Sequence, residues 1–327
     1  LKPFWLKAVA RPISNPEFEP AGGGIAMPKR HEARQRLRED REERKVEGKP
    51  RHSHSAKLAL HAEETAEILR RSGYNSPLDG DWVDLTAQLH KSIDASSFHP
   101  EEEAVPAPAD SRPTERIVFE CATAFGAACS RLQLLEDGEQ PEGRPLPKIC
   151  VLNFASAKRP GGGWRTGAAA QEEELTRASG LYPTLTRHTG MYGDCQAGLY
   201  SDRMVYSPGV PVFRDDYGQL LHEPFLCDVI SAAACNMNGL KSEDRGRLDE
   251  TMRRRARRVV ELARAKGVDT LVLGAWGTGV FGLDPDKVAF WFREALTGVH
   301  FDEVVFAFRD PQKMVVFQAV FAEAKTE

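Results

Sequence analysis

The chain has 327 residues, 41% hydrophobic and 28% charged, with a formal net charge of -4, enough for one large domain, or one domain plus appendages, around a substantial core. That mild acidity argues against wholesale wrapping of nucleic acid, which wants a strongly basic face. No apolar run approaches the ~20 residues of a membrane span, and the opening LKPFWLKAVARP is too short and too interrupted for a secretory apolar region.

Residues 1–28 carry Pro12, Pro16 and Pro20 and three glycines at 22–24, and they read as a tail without a usable period. From Lys29 to Arg51 ten Lys/Arg face six Asp/Glu with one leucine and one valine, so this run has no apolar face to bury. It reads as a solvated arm, with a nuclear-targeting or polyanion-binding role as the alternative. Residues 1–54 are therefore expected to be a disordered, charged arm. SAKLALHAEETAEILRRSGY, 55–74, predicts a helix: Ser55 caps it, Leu58, Ala62, Thr65 and Leu69 form one stripe, and Gly73 lies just past its end. A short mixed segment and the acidic, proline-bearing EEEAVPAPAD follow, marking a boundary between a helical accessory segment (55–110) and the remainder (111–327).

Beyond it, strands and helices alternate. IVFE (117–120) and KICVLNFA (148–155) are apolar strands around the helix CATAFGAACSRLQLL. A helix near 171–180 is followed by strands at RMVYSP and FLCDVISAA, and then by the very basic helix TMRRRARRVVELARAKG. TLVLGAW (270–276), the helix DKVAFWFREALTG, the strand DEVVFAF and the helix MVVFQAVFAEA complete the chain. The expectation is an α/β fold, a largely parallel or mixed sheet covered by helices on both faces. Cys121, Cys129, Cys150, Cys195, Cys227 and Cys235 include no C-x-x-C pair and have no histidine ligands nearby. They read as buried free thiols in a reducing compartment rather than a zinc site.

Two glycine-rich loops follow strands, where sheets of this class bind ligands. GAWGTGVFG (274–282) formally contains G-x-G-x-x-G at Gly277, Gly279 and Gly282, with Asp284 and Pro285 opening the next helix. Such a loop offers backbone N–H groups to a pyrophosphate. A dinucleotide-binding topology would also need an acid such as Asp310, and that topology normally opens a fold rather than closing it. In the first loop, PGGGWRTGAAAQEEE, three glycines precede an acidic helix start. Its carboxylates can bind sugar hydroxyls and shuttle a proton. Neighbouring helical residues diverge by about 100°, so Glu172 and Glu173 point differently and Glu174 is expected to face solvent. The alternative is a charged first turn that merely complements the helix dipole.

NFASAKRPGGG, the QEE seven residues after the glycines, SPGVPVFRDDYG at 207–218 and GAWGTGVFG together resemble the bacterial, or microbial-type, poly(ADP-ribose) glycohydrolases. That family is macrodomain-like, and its signature is GGG, six to eight residues, then QEE. The resemblance spans about residues 55–325 and implies a macrodomain-like mixed sheet between helices with an N-terminal helical extension. It implies hydrolysis of ribose–ribose O-glycosidic bonds, mainly from the chain end, releasing ADP-ribose. Glu173 would be the general acid and then base. Glu172 and Asn153 would hold ribose hydroxyls, and Gly161, Gly162 and Gly163 would let the backbone approach the ligand. Gly277, Thr278, Gly279 and Val280 map onto a diphosphate loop, Phe281 would press on the terminal ribose, and Phe154 and Gln171 belong with the substrate-binding residues. No metal or cofactor is implied, and the partners would be poly(ADP-ribose) and ADP-ribosylated proteins, met by a monomer without direct DNA recognition inside the cell. One departure is Cys235, which stands before Asn236 where relatives tend to have proline. A non-catalytic reader of ADP-ribose and a dinucleotide-dependent oxidoreductase are the alternatives; an intact QEE separates the first of these from an enzyme.

Overall fold

The computed structural model describes residues 51–105, 112–137, 147–193 and 198–323. The expectations for the tail, for all but the last residue of the 29–51 run and for Cys195 fall outside them. Helix α1 (Arg51–Arg71) begins ahead of Ser55, so Ser55 is not its cap: the hydroxyl donates instead to Thr166 O at 3.4 Å. The expected stripe holds, with Ala62 and Thr65 buried, and Ile68 joins it at 4% exposure. The left-handed residue after the helix is Ser72 (φ 54°), not Gly73. Gly73 opens β1 (Gly73–Asn75), paired antiparallel with β2 (Trp82–Asp84). A Cβ on Gly73 would lie 2.5 Å from both the Trp82 ring and Val83 O, so glycine is needed there for close approach.

Helix α2 (Thr86–Ala95) and strand β3 (Ser97–His99) come next. Then follow β4 (Arg116–Glu120), α3 (Ala124–Asp137), β5 (Ile149–Phe154), α4 (Gln171–Ala178) and α5 (Leu181–Arg187). The rest comprises β6 (Met204–Arg214), β7 (Leu220–Ala232), α6 (Leu248–Ala265), β8 (Thr270–Gly274), α7 (Pro285–Leu296), β9 (Glu303–Ala307) and α8 (Pro311–Glu323). Seven strands form one sheet in the order β3-β6-β7-β5-β8-β9-β4. The β3-β6-β7 edge is antiparallel and the pairs from β7 through β5, β8 and β9 to β4 are parallel. Because β3 is a strand of this sheet, the segment before the acidic linker shares the sheet of the segment after it. No helix among the described residues is long and apolar enough to cross a membrane.

The sheet is apolar on both faces because helices cover both. Along β5, Ile149 and Val151 join one core with residues of α3, α4 and α5. Cys150 and Leu152 join the other, with residues of α6, α7 and α8. This alternation puts Asn153 on the α4 side. Helix α7 starts as the sequence predicts: Asp284 accepts the Asp286 N–H at 3.1 Å and Pro285 takes the first turn. The arginines of α6 partly turn inward. Arg255 is 1% exposed and Arg258 9%, and Arg258 donates to the carbonyls of Pro100, Glu101 and Glu103, tying down the start of the acidic linker.

Candidate active site

Strand β5 and helix α4 are locked end to start by one side chain. The Gln171 amide donates to Leu152 O at 2.8 Å and accepts the Phe154 N–H at 2.8 Å. With that register fixed, the next two residues diverge as helical geometry requires. Glu172 turns inward and is 3% exposed; its Oε2 accepts the Ser156 N–H at 2.7 Å, and its Oε1 has no protein partner. Burial pushes the Glu172 carboxyl up to about 8, against the Ser156 N–H, and the Glu173 charge adds to the rise. Glu173 is half-buried, and its Oε1 accepts the Gly163 N–H at 2.9 Å. Asn153 is fully buried; its Nδ2 donates to Ser231 Oγ at 3.0 Å and its Oδ1 lacks a protein partner.

Of the three glycines, Gly162 is the one that the acids require to be bare. A Cβ on Gly162 would lie 2.3 Å from Glu173 Oε1 and 3.0 Å from Glu172 Oε2. Both carboxyls therefore converge on one bare stretch of backbone, held at φ 57°. The chain then turns through buried Trp164 to Gly167, whose own missing Cβ would meet Ser55 O at 2.2 Å. Helix α1 thus braces the far side of this loop, and Thr65 adds a 2.6 Å bond to Arg177 O.

Glu174 departs from its expectation of facing solvent. Its side chain is 27% exposed and pairs with Arg309. Burial pushes its carboxyl up, opposed by the Arg309 charge. Helical spacing turned Glu174 away from Glu173, but the segment after β9 occupies that direction.

The second loop stands opposite. Gly277 (φ 73°) leaves no room for a Cβ against Leu283 at 2.6 Å and Ala234 at 2.8 Å, whereas a Cβ on Gly279 would meet nothing within 4 Å. Val280 is 76% exposed. Phe281 packs on Tyr200 with ring centres 5.9 Å apart. The loop is held from below: Asn238 Nδ2 donates to Val280 O at 2.6 Å and the Met237 N–H to Phe281 O at 2.9 Å. Asn236 shapes that clamp, accepting the Asn238 N–H at 3.1 Å. Cys235, in the unusual position before it, is buried and its thiol donates to Leu199 O at 3.2 Å. Asp310 accepts the Gln312 N–H at 3.0 Å at the start of α8, which is a capping role.

Between the loops, at the carboxyl ends of β5, β8 and β9, lies a cleft of about 540 Å³. Phe154, Gln171 and the whole run Gly277–Phe281 line it, together with Glu174 and Arg309. Asn153, Gly161, Gly162, Gly163, Glu172 and Glu173 gather beside it around the start of α4. Sequence reasoning missed Arg309, Tyr200 and Arg255. Arg309 follows a strand's carboxyl end, the signal that marked the two glycine loops.

Residues 62–215 match a family model described as the catalytic domain of microbial-type PARG. The crystal structure of poly(ADP-ribose) glycohydrolase from Thermomonospora curvata is similar at 36% identity and TM-score 0.71, over 82% of this chain and 99% of that one. This chain belongs to the microbial-type poly(ADP-ribose) glycohydrolase family. The Thermomonospora curvata glycohydrolase bound to the inhibitor ADP-HPD is similar at 35% identity and TM-score 0.70, over 82% and 99% of the two chains. The Deinococcus radiodurans glycohydrolase in complex with ADP-ribose is similar at 35% identity and TM-score 0.62, over 74% of this chain and all of that one. The chain matches none of the curated proteins. The family is one of glycoside hydrolases, and its mixed sheet between helices is the fold observed.

Proposed function

We propose that the chain hydrolyses the ribose–ribose O-glycosidic bonds of poly(ADP-ribose), mainly from the chain end, and releases ADP-ribose. The diphosphate lies against Gly277, Thr278, Gly279 and Val280, and Phe281 presses on the terminal ribose. Asn153 and Glu172 hold ribose hydroxyls. Glu173 protonates the 2′-oxygen of the departing ribose as the C1″–O bond breaks, and the bonding electrons leave with that oxygen. The oxocarbenium-like ribose is steadied by the negative diphosphate. Water then adds to C1″ and returns its proton to Glu173. One carboxylate serves as acid and then base, unlike the usual facing pair.

One observation carries this reading: two adjacent carboxyls share one glycine but stand in different surroundings. Glu172 is sealed, with one partnerless oxygen, and Glu173 is half-open beside the cleft. In the free protein burial keeps the proton on Glu172. A ribose hydroxyl donating to Glu172 Oε1 favours its ionised form. The substrate is the polymer on ADP-ribosylated proteins, met by a monomer within the cell without direct DNA recognition. The net charge of -4 and, among the described residues, the thiols of Cys121, Cys150, Cys227 and Cys235, none of them in a disulfide, support that setting.

The test is release of ADP-ribose from labelled polymer by wild type and Glu173→Gln. The variant should lose at least about a hundredfold in rate, the usual scale of a general acid–base group, while calorimetry shows ADP-ribose still bound. Equal rates would refute the role of Glu173; an inert wild type that binds ADP-ribose would make the chain a reader.

A further inference from the structure

Behind Phe281 stands a residue in strain. Tyr200 has φ 58°, in the left-handed region that bulky residues rarely enter and that persists only where the surroundings over-determine it. Those surroundings centre on Arg255, 1% exposed in α6. Its Nη2 donates to Leu199 O at 3.0 Å and Tyr200 O at 3.4 Å, its Nη1 to Ala233 O at 2.8 Å. Its Nε pairs with Asp202 Oδ1 at 2.7 Å. One buried guanidinium therefore holds the backbone at 199 and 200, reaches Asp202 beyond it, and ties all three to the segment after β7. The Asn236 N–H adds a bond to Gly198 O at 2.7 Å.

What this fastening presents is the tyrosine ring. Tyr200 is 8% exposed and clusters with Ala157 and Ala233 against Phe281. Its hydroxyl accepts a hydrogen bond from Asn236 Nδ2 at 3.2 Å, and Asn236 belongs to the turn that clamps the Phe281 loop. The ring therefore meets Phe281, its hydroxyl meets the clamp of the Phe281 loop, and Ala157 and Ala233 complete the cluster.

The geometry points to Tyr200 as the positioning residue of Phe281: Arg255 fixes its backbone so that its ring backs the Phe281 ring at the ribose end of the cleft. This rests on the proposed role of Phe281. Without backing, the Phe281 ring gains room to tilt, and the ribose it presses on loses its alignment with Glu173. Misalignment of reacting groups costs rate more than affinity.

The test is a pair of substitutions read on the enzyme's own reaction. Tyr200→Asn keeps a residue that tolerates the left-handed backbone and removes the ring; Tyr200→Phe keeps the ring and removes the hydroxyl. Tyr200→Asn should lower kcat for ADP-ribose release by about tenfold or more, with KM within about twofold. Tyr200→Phe should stay within about threefold of wild type. Added to Phe281→Ala, Tyr200→Asn should cost nothing further, because two residues acting through one contact are not additive. If Tyr200→Asn fails to fold, Tyr200→Leu enters the same cycle. Unchanged kcat in the ring-deleting variant, or full additivity with Phe281→Ala, overturns the brace alone. Wild-type kcat in Phe281→Ala itself overturns the reading of Phe281 and the brace with it.

Discussion

Replacing Glu172 with glutamine should make the protein more stable at alkaline pH. The carboxyl rises from an ordinary value of 4.5 to about 8 in the folded chain, chiefly through burial. The folded state thus binds this proton more tightly than the unfolded chain does. The stabilising contribution is complete below pH ~4.5 and is lost as the pH climbs towards 8. At 1.36 kcal/mol per unit the full loss is about 5 kcal/mol. Integrating the two titrations between pH 5.5 and 8.5 leaves about 3 kcal/mol lost over that interval. Glu172 is 3% exposed, so solvent screening takes little from this figure. Glutamine keeps the shape, can still accept from Ser156, and sets its amide group where Glu172 Oε1 now has no partner. Urea unfolding of both proteins across that interval reads the effect. Wild type should lose about 3 kcal/mol more than Glu172→Gln. Parallel pH dependences would mean that Glu172 is not buried as a proton-binding group, and the division of roles between the two acids would fall with it.

Gly162→Ala places a Cβ 2.3 Å from Glu173 Oε1 on backbone at φ 57°; it should cost about 1–2 kcal/mol in thermal unfolding and abolish ADP-ribose release by displacing the acid. Gly279→Leu meets nothing within 4 Å at its Cβ, so stability should stay within about 0.5 kcal/mol while calorimetry shows ADP-ribose affinity falling at least about tenfold; unchanged affinity would remove the diphosphate from this loop.

The parts of the fold that the sequence exposes are those whose burial is continuous. Strands β5, β8 and β9 are apolar runs because both faces are covered, and β5 and β8 lead into the two glycine-rich loops. The hairpin β1–β2 and the strand β3 are three residues each, too short to show a period, so the segment before the linker reads as mixed. Gly73, expected just past the helix, instead opens β1 because the need for a bare Cβ arose from Trp82, which local reasoning does not place. That Glu172 and Glu173 point differently followed from helical geometry; the roles expected of each came from the family resemblance. The pairing of Glu174 did not follow from that geometry, because Arg309 reaches it across 135 residues of chain. The basic helix α6 carries the same lesson: Arg254 is exposed and its neighbour Arg255 buried, yet both pair with the buried Asp202, and composition does not tell the two apart.

The Gln171 bridge has a consequence for how this loop tolerates change. Residues 155–170 leave β5 and return to it, since the residue that ends the excursion bonds Leu152 and Phe154, the last turn of the same strand. The loop is therefore a ring closed by one amide. Arg177 fastens 164–170 from α4, donating to Trp164 O at 3.2 Å and Ala168 O at 2.7 Å, and Gly167 seats against Ser55 of α1. A shift of one residue at 171 would open the ring and rotate both carboxyls by about 100° away from Gly162. The single amide at 171 is thus what aims both acids at one glycine.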